Sequence, residues 1–168
     1  MSKTVAELGL FLLNAATVDL LIRHMHIRGK LPRLRLLALR DISMTYIDTF
    51  GSLDWLPQLL ALTPGVTDIA IQIMMNRHPL SLLSKILAPM GDILTGDNAP
   101  STLRSVSFTL SGCHPFEEDK LKDLGDLKRG VLAPLAAKVD VTIGPTLCEY
   151  FSCTLRLMIL DRYALSIS

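Results

Sequence analysis

Aromatic residues make up only 5% of this chain of 168 residues, so its core has to be built from aliphatic side chains. Charge of one sign is missing too. Seventeen Lys and Arg stand against sixteen Asp and Glu, interspersed, for a net charge of +1. That balance excludes the basic footprint on which nucleic-acid binding depends. Long apolar runs are absent although 49% of residues are hydrophobic and the mean hydropathy is +0.39. The best candidate, Leu8 to Ile22, is interrupted by Asn14, Thr17 and Asp19 and falls short of the ~18–20 apolar residues a spanning helix needs. The same region makes a poor signal peptide. Lys3 is a weak basic start, Glu7 intrudes, and the apolar stretch Leu8–Leu13 is short. Cysteine is scarce, and Cys113, Cys148 and Cys153 are odd in number without metal-ligand spacing. A reduced intracellular setting, cytoplasmic or nuclear, fits this better than a disulfide scaffold.

Motifs that would name a chemistry are also missing. No G-x-G-x-x-G and no G-x-S-x-G occurs, and Gly91-Asp92-Ile93-Leu94-Thr95-Gly96-Asp97 lacks the Gly-Lys-Ser/Thr of a phosphate-binding loop. His24 and His26 would share one side of an extended chain, as a metal pair requires, but no carboxylate or cysteine nearby completes a site. Cys113-His114 resembles a nucleophile and base only by adjacency, and catalytic partners usually meet through the fold. Cys148 and Cys153 are too far apart for a C-x-x-C redox motif and read better as small hydrophobes. Glu117-Glu118-Asp119, followed by Lys120 and Lys122, is a solvated helix face more readily than a cation site. Trp55 sits beside an apolar helix face as core or groove filler. No residue stands out as catalytic, and no cofactor or metal is implied.

What the chain does have is a recurring aliphatic block. It reads Leu34-x-x-Leu37-x-Leu39, then Val66-x-x-Ile69-x-Ile71, then Leu103-x-x-Val106-x-Phe108, and finally Val139-x-Val141 with Ile143 behind it. Leu39, Ile71, Phe108 and Val141 are spaced at intervals of 32, 37 and 33. A recurring period of this size points to one supersecondary unit stacked on copies of itself.

Between the blocks lie helical patterns and breakers. Residues 4–16, with Val5, Leu8, Leu12 and Leu13, predict a first helix, with Thr4 and Glu7 as a capping box. A short strand is expected over Val18–Arg23, where Val18, Leu20 and Ile22 alternate, and a loop over Met25–Pro32. Strand two is expected over Leu34–Arg40. A helix is strongest over Leu53–Leu62 and ends at Pro64-Gly65. Strand three follows over Thr67–Met74, then a helix from Pro79 to about Leu94, and a loop at Gly96-Asp97-Asn98-Ala99-Pro100-Ser101. Strand four covers Leu103–Leu110. The next helix starts near Pro115-Phe116-Glu117 and breaks at Gly125 or Gly130. Strand five covers Lys138–Ile143, after which Gly144-Pro145 ends the pattern, and Leu155, Leu157 and Ile159 alternate as a sixth strand would. The expected division is a repeat domain over 1–143 and an irregular segment over 144–168.

Strands alternating with helices imply α/β architecture with parallel pairing. A sheet sandwiched by helices needs both faces apolar. Here the residues alternating with the aliphatic rows are Asp68, Ala70 and Gln72, then Ser105, Ser107 and Thr109, then Lys138, Asp140 and Thr142. Strand two, with Leu36, Ala38 and Arg40, fits less well. The expectation is therefore a parallel sheet in sequential strand order with helices on one face only.

The segment Leu31-Pro32-Arg33-Leu34-Arg35-Leu36-Leu37-Ala38-Leu39-Arg40-Asp41-Ile42 resembles a leucine-rich repeat, L-x-x-L-x-x-L-x-L-x-x-I. With the leucine-rich helix and the Thr63-Pro64-Gly65-Val66-Thr67-Asp68-Ile69 block that follow, residues 4–143 resemble the divergent leucine-rich-repeat regions of fungal F-box-type proteins. Ile42 stands where that motif usually ends in Asn or Cys, the period exceeds the usual ~20–29 residues, and no F-box segment is visible. The resemblance implies a non-enzymatic solenoid that recognises another protein, with neither nucleic acid nor membrane as partner. Its binding face would carry Arg40, Asp68, Gln72, Ser105, Thr109, Lys138, Asp140 and Thr142. The alternatives are a small α/β enzyme or nucleotide-binding domain, with a crevice near Ser43, Arg77, Gly112 and Gly144, or a fragment without independent activity, such as one piece of a longer solenoid.

Overall fold

The computed structural model describes residues 6–11, 15–43, 53–75, 82–112 and 118–147. In chain order the elements are β1 (Glu7–Phe11), α1 (Ala15–Arg28), β2 (Leu36–Ser43), α2 (Trp55–Leu62) and β3 (Asp68–Met74). They continue with α3 (Leu83–Thr95), β4 (Ser105–Gly112), α4 (Glu118–Arg129), the single turn α5 (Ala133–Ala136) and β5 (Asp140–Leu147). The five strands form one sheet, all parallel, in the order β1-β2-β3-β4-β5. Sequential order follows from the repeat. Each strand-helix unit is too small to bury its own apolar face and does so against the preceding unit.

The register aligns the aliphatic blocks rung by rung. Leu8, Leu37, Ile69, Val106 and Val141 make one row, and Leu10, Leu39, Ile71, Phe108 and Ile143 the next, so Ile143 and not Val141 is the counterpart of Leu39, Ile71 and Phe108. Against these rows pack Ile22 and Met25 of α1, Leu56, Leu59 and Leu60 of α2, Leu83, Leu87 and Met90 of α3, Leu124 of α4 and Leu135 of α5, all in one continuous core. Each such side chain contributes about 1.5–3 kcal/mol by leaving water. The helices therefore lie against one face of the sheet.

Backbone bonds repeat just ahead of the strands. Arg35 and Leu36 donate to the Ala6 carbonyl, Thr67 and Asp68 to that of Arg35, Arg104 and Ser105 to that of Thr67, and Asp140 to that of Arg104. One turn is tied to the next at every step. The Pro64-Gly65 turn lies so close to the preceding one that a Cβ on Gly65 would stand 2.0 Å from the Pro32 carbonyl oxygen. Glycine is required there by proximity, not by backbone angle.

At the start of the chain the sequence expectation is inverted. Residues 7–11, expected within a helix, form a strand, and the expected strand Val18–Arg23 lies inside α1. Short apolar stretches fit either period, and the alternation of Val18, Leu20 and Ile22 misled because Leu20 is 70% exposed. What marks the helix is Ile22 and Met25, buried at i and i+3, and Gly29, which ends it at φ 93° with its N–H on the Met25 carbonyl at 2.8 Å. At the other end β5 does not stop at Ile143 but runs through Gly144 and Pro145 to Leu147. Among the described residues β5 is an edge strand, where a residue without an N–H is tolerated. The long fourth helix breaks at Gly130, one of its two expected positions. The proposed sixth strand lies outside the described residues. No helix among the described residues is long and apolar enough to cross a membrane.

Candidate interaction face

Alternation along the strands sends the remaining side chains to the face that the core helices leave open. The register places Glu7, Leu36, Asp68, Ser105 and Asp140 in a first row, and Gly9, Ala38, Ala70, Ser107 and Thr142 in a second. Gln72, Thr109 and Gly144 form a third, and Met74, Ser111 and Thr146 a fourth. The middle of this face is small and polar. Ala70, Gln72, Ser105, Ser107 and Thr109 are half-buried, crowded by neighbouring strands at ~4.8 Å spacing, and Ala38 and Ser111 are buried.

Of the residues expected on this face, Asp68, Ser105 and Asp140 share the first row, Thr142 lies in the second, and Gln72 and Thr109 pair in the third. Arg40 is exposed at a bulge. Leu39 faces Ile71 and Ile42 faces Ile73, so Arg40 and Asp41 together oppose the single residue Gln72. Lys138 is not on the face. It precedes β5, and its Nζ donates to the Thr95 carbonyl at 2.8 Å, at the end of α3 where unsatisfied carbonyls attract a cation.

Asp68 is the best-anchored group. One carboxylate oxygen accepts from the Ser105 hydroxyl at 2.5 Å and the other from the Thr67 hydroxyl at 2.6 Å. These two bonds, with the positive charge of Arg104, hold its pKa below the ordinary 3.8 against the opposing effect of partial burial. Asp68 therefore presents a fixed negative charge at the start of the face.

The other chemical candidates separate. His24 and His26 lie on α1, where residues two apart point to opposite sides, and both are exposed. Among the described residues no three His, Cys, Asp or Glu gather as a metal site would require. Trp55 is buried, as core filler should be, and its Nε1 has no acceptor among the described residues. Cys113, His114, Cys148, Cys153, Glu117 and Arg77 lie outside the described residues. Lys122 is exposed on α4, and the side chains of Glu118, Asp119 and Lys120 are not described. Ser43 and Gly112 end β2 and β4, whereas Gly144 is mid-strand in β5. Because the strand order never reverses, the sheet has no switch point at which the crevice of a doubly wound fold would open.

A cleft exists at the opposite end of the strands, and the sequence reading missed it. It measures about 680 Å³ and is lined by Arg35, Thr67, Ser101, Thr102, Leu103 and Arg104. Arg35, Thr67 and Arg104 each stand immediately before a strand, at the same intervals of 32 and 37 as the core blocks. The period that revealed the core therefore also carried this signal. The chain matches no protein-family model, no curated protein and no solved structure.

Proposed function

We propose that this chain is a protein-recognition module of leucine-rich-repeat type, working through the open face of its sheet. The observation that carries this is the polar face of a sequential parallel sheet, which no described helix packs against, running from Asp68 and Ser105 to Gln72 and Thr109. Stacked repeats offer such a face as a broad, rigid surface, and its short side chains allow a partner's backbone or helix to approach closely. Arg40, Asp68 and Asp140 supply charge matching, while Gln72, Ser105, Thr109 and Thr142 supply hydrogen bonds. The partner is a protein met inside the cell. The narrower form of the proposal, a substrate-recognition region of an F-box-like adaptor, rests on the leucine-rich pattern of residues 31–42 alone.

The test replaces Arg40, Gln72 and Thr109 together with alanine. Partners captured from the native cell by the parent chain should be lost by the triple variant, while its circular dichroism and melting temperature stay those of the parent. Unfolding of the variant would show that these side chains belong to the core instead. Unchanged capture by a folded variant would move recognition off this face.

A further inference from the structure

We propose that the cleft at the N-terminal edge of the sheet binds a phosphate monoester group, held between Arg35 and Arg104. This site is separate from the open face and does not depend on what that face recognises.

Three observations converge on it. First, both arginines are pinned at the backbone. The Arg104 N–H donates to the Thr67 carbonyl at 2.7 Å, and its own carbonyl accepts from the Asp140 N–H at 2.8 Å. The Arg35 carbonyl accepts from both Thr67 and Asp68, and its Nη1 donates to the Gly65 carbonyl at 2.8 Å. Gly65 is itself wedged against Pro32, so the Arg35 guanidinium is oriented by a rigid turn and keeps its other N–H groups for a ligand. Second, the spacing suits a bridging anion. Arg35 and Arg104 precede strands separated by one other, which sets their backbones about two strand spacings, ~9.6 Å, apart. Two arginine side chains from such positions can converge on one phosphoryl group, whose oxygens accept their parallel N–H pairs. Third, the hydrogen-bonding capacity of the cleft is unequally used. The Thr67 hydroxyl is engaged by Asp68, and the Thr102 hydroxyl by the Val66 carbonyl at 2.7 Å. The side chains of Arg104 and Ser101 make no hydrogen bond among the described residues and line the cavity.

The carboxylates nearest the cleft are those of the first row, Glu7, Asp68 and Asp140, and none of the three lines it. Asp68 does not itself line the cleft, but its carboxylate accepts from the Thr67 hydroxyl at the cleft wall and feels the charge of Arg104, so it is the acidic group a bound anion would lie nearest. Asp97 is exposed in the loop after α3, while Lys30 and Arg33 add positive charge in the turn before β2. A cleft of about 680 Å³ exceeds the needs of a bare ion and has room for the residue or small molecule carrying the phosphate.

The experiment is an NMR titration of the full chain at constant ionic strength, with inorganic phosphate, then with a phosphoserine peptide and its unphosphorylated form. Saturable shifts confined to the amides of residues 64–67 and 101–104 are expected. Arg104→Gln, whose side chain makes no hydrogen bond among the described residues, should weaken binding about tenfold or more while circular dichroism shows the fold retained, and Arg104→Lys, which keeps the positive charge near Asp68, should retain part of it. Tighter binding of the phosphopeptide than of inorganic phosphate would show that the site also reads the carrier peptide, and equal binding that it reads the phosphoryl group alone. Either result supports the site. Absence of saturable shifts at those amides, or an identical titration for Arg104→Gln, would overturn it.

Discussion

Asp68 and Gly65 show how much a single position can carry in a stacked fold. The two hydroxyl donors on Asp68 favour its charged form, so its folded pKa lies below 3.8. A depressed carboxylate contributes stability that is fully present above its unfolded pKa and is lost as pH falls through the lower folded value. Ser105→Ala removes the first of the two bonds. The Asp68 pKa, followed by carboxyl carbon NMR, should then rise toward 3.8, and the acid limb of the unfolding curve should shift to higher pH. No such shift would mean that Ser105 does not hold the carboxylate. At Gly65 the constraint is steric. The atom a Cβ would strike, the Pro32 carbonyl oxygen at 2.0 Å, belongs to backbone and cannot rotate away. Gly65→Ala should cost about 3 kcal/mol, near the upper end for overpacking, read as a lowered denaturant midpoint with an unchanged slope. A variant as stable as the parent would show that the two turns are not in contact. The sequence announces Pro64-Gly65 as a helix stop, but the close approach to Pro32 arises only when the second and third repeats are stacked.

Among the elements, α3 carries a visible defect. Pro89 lies inside Leu83–Thr95, where it can give no hydrogen bond to the carbonyl one turn back. Pro89 is exposed while Leu83, Ile86, Leu87, Met90 and Leu94 form the buried face, so packing holds the helix despite the interruption. Pro89→Ala should therefore raise the melting temperature, with a gain of up to about 3 kcal/mol. A fall would show that the proline shapes the packing of α3 on the sheet. Elements with strong side-chain signals were legible in advance. β3 alternates buried and half-buried residues without exception, and α2 concentrates Leu56, Leu59 and Leu60 on the core. The β1–α1 pair was not legible, since Leu8 and Leu10 suit a strand or a helix and Leu20 and Ile27 break the helical period by facing solvent at 70% and 84% exposure. Lys138 was misplaced for a related reason. A residue two positions before a strand alternates in the sequence like a strand residue, but here its ammonium is drawn to the end of α3.

For the molecule as a whole, sequential stacking makes protection depend on position in the sheet. β3 has a strand on either side and its Ile69, Ile71 and Ile73 are buried, whereas β1 pairs only with β2 among the described residues and its Leu8 and Leu10 are half-buried. Native-state hydrogen exchange should be slowest in β3 and β4 and fastest in β1, with amides of Glu7–Phe11 opening well before global unfolding. Uniform protection across the strands would show that the sheet opens as one unit.

The repeat period and the alternation of aliphatic with polar residues are properties of the chain in one dimension, and they determined the parallel sheet, its strand order and the polarity of its two faces. A repeat contacts chiefly its neighbours, so a local pattern copied at a regular interval already implies the stack. Contacts between repeats were decided by the tertiary structure alone. The Ser105 hydroxyl reaches Asp68 across 37 positions, Lys138 reaches Thr95 across 43, and Arg35 and Arg104 come to line one cleft. These depend on the register and on the depth of each turn, which the chain acquires only when its strands are laid side by side.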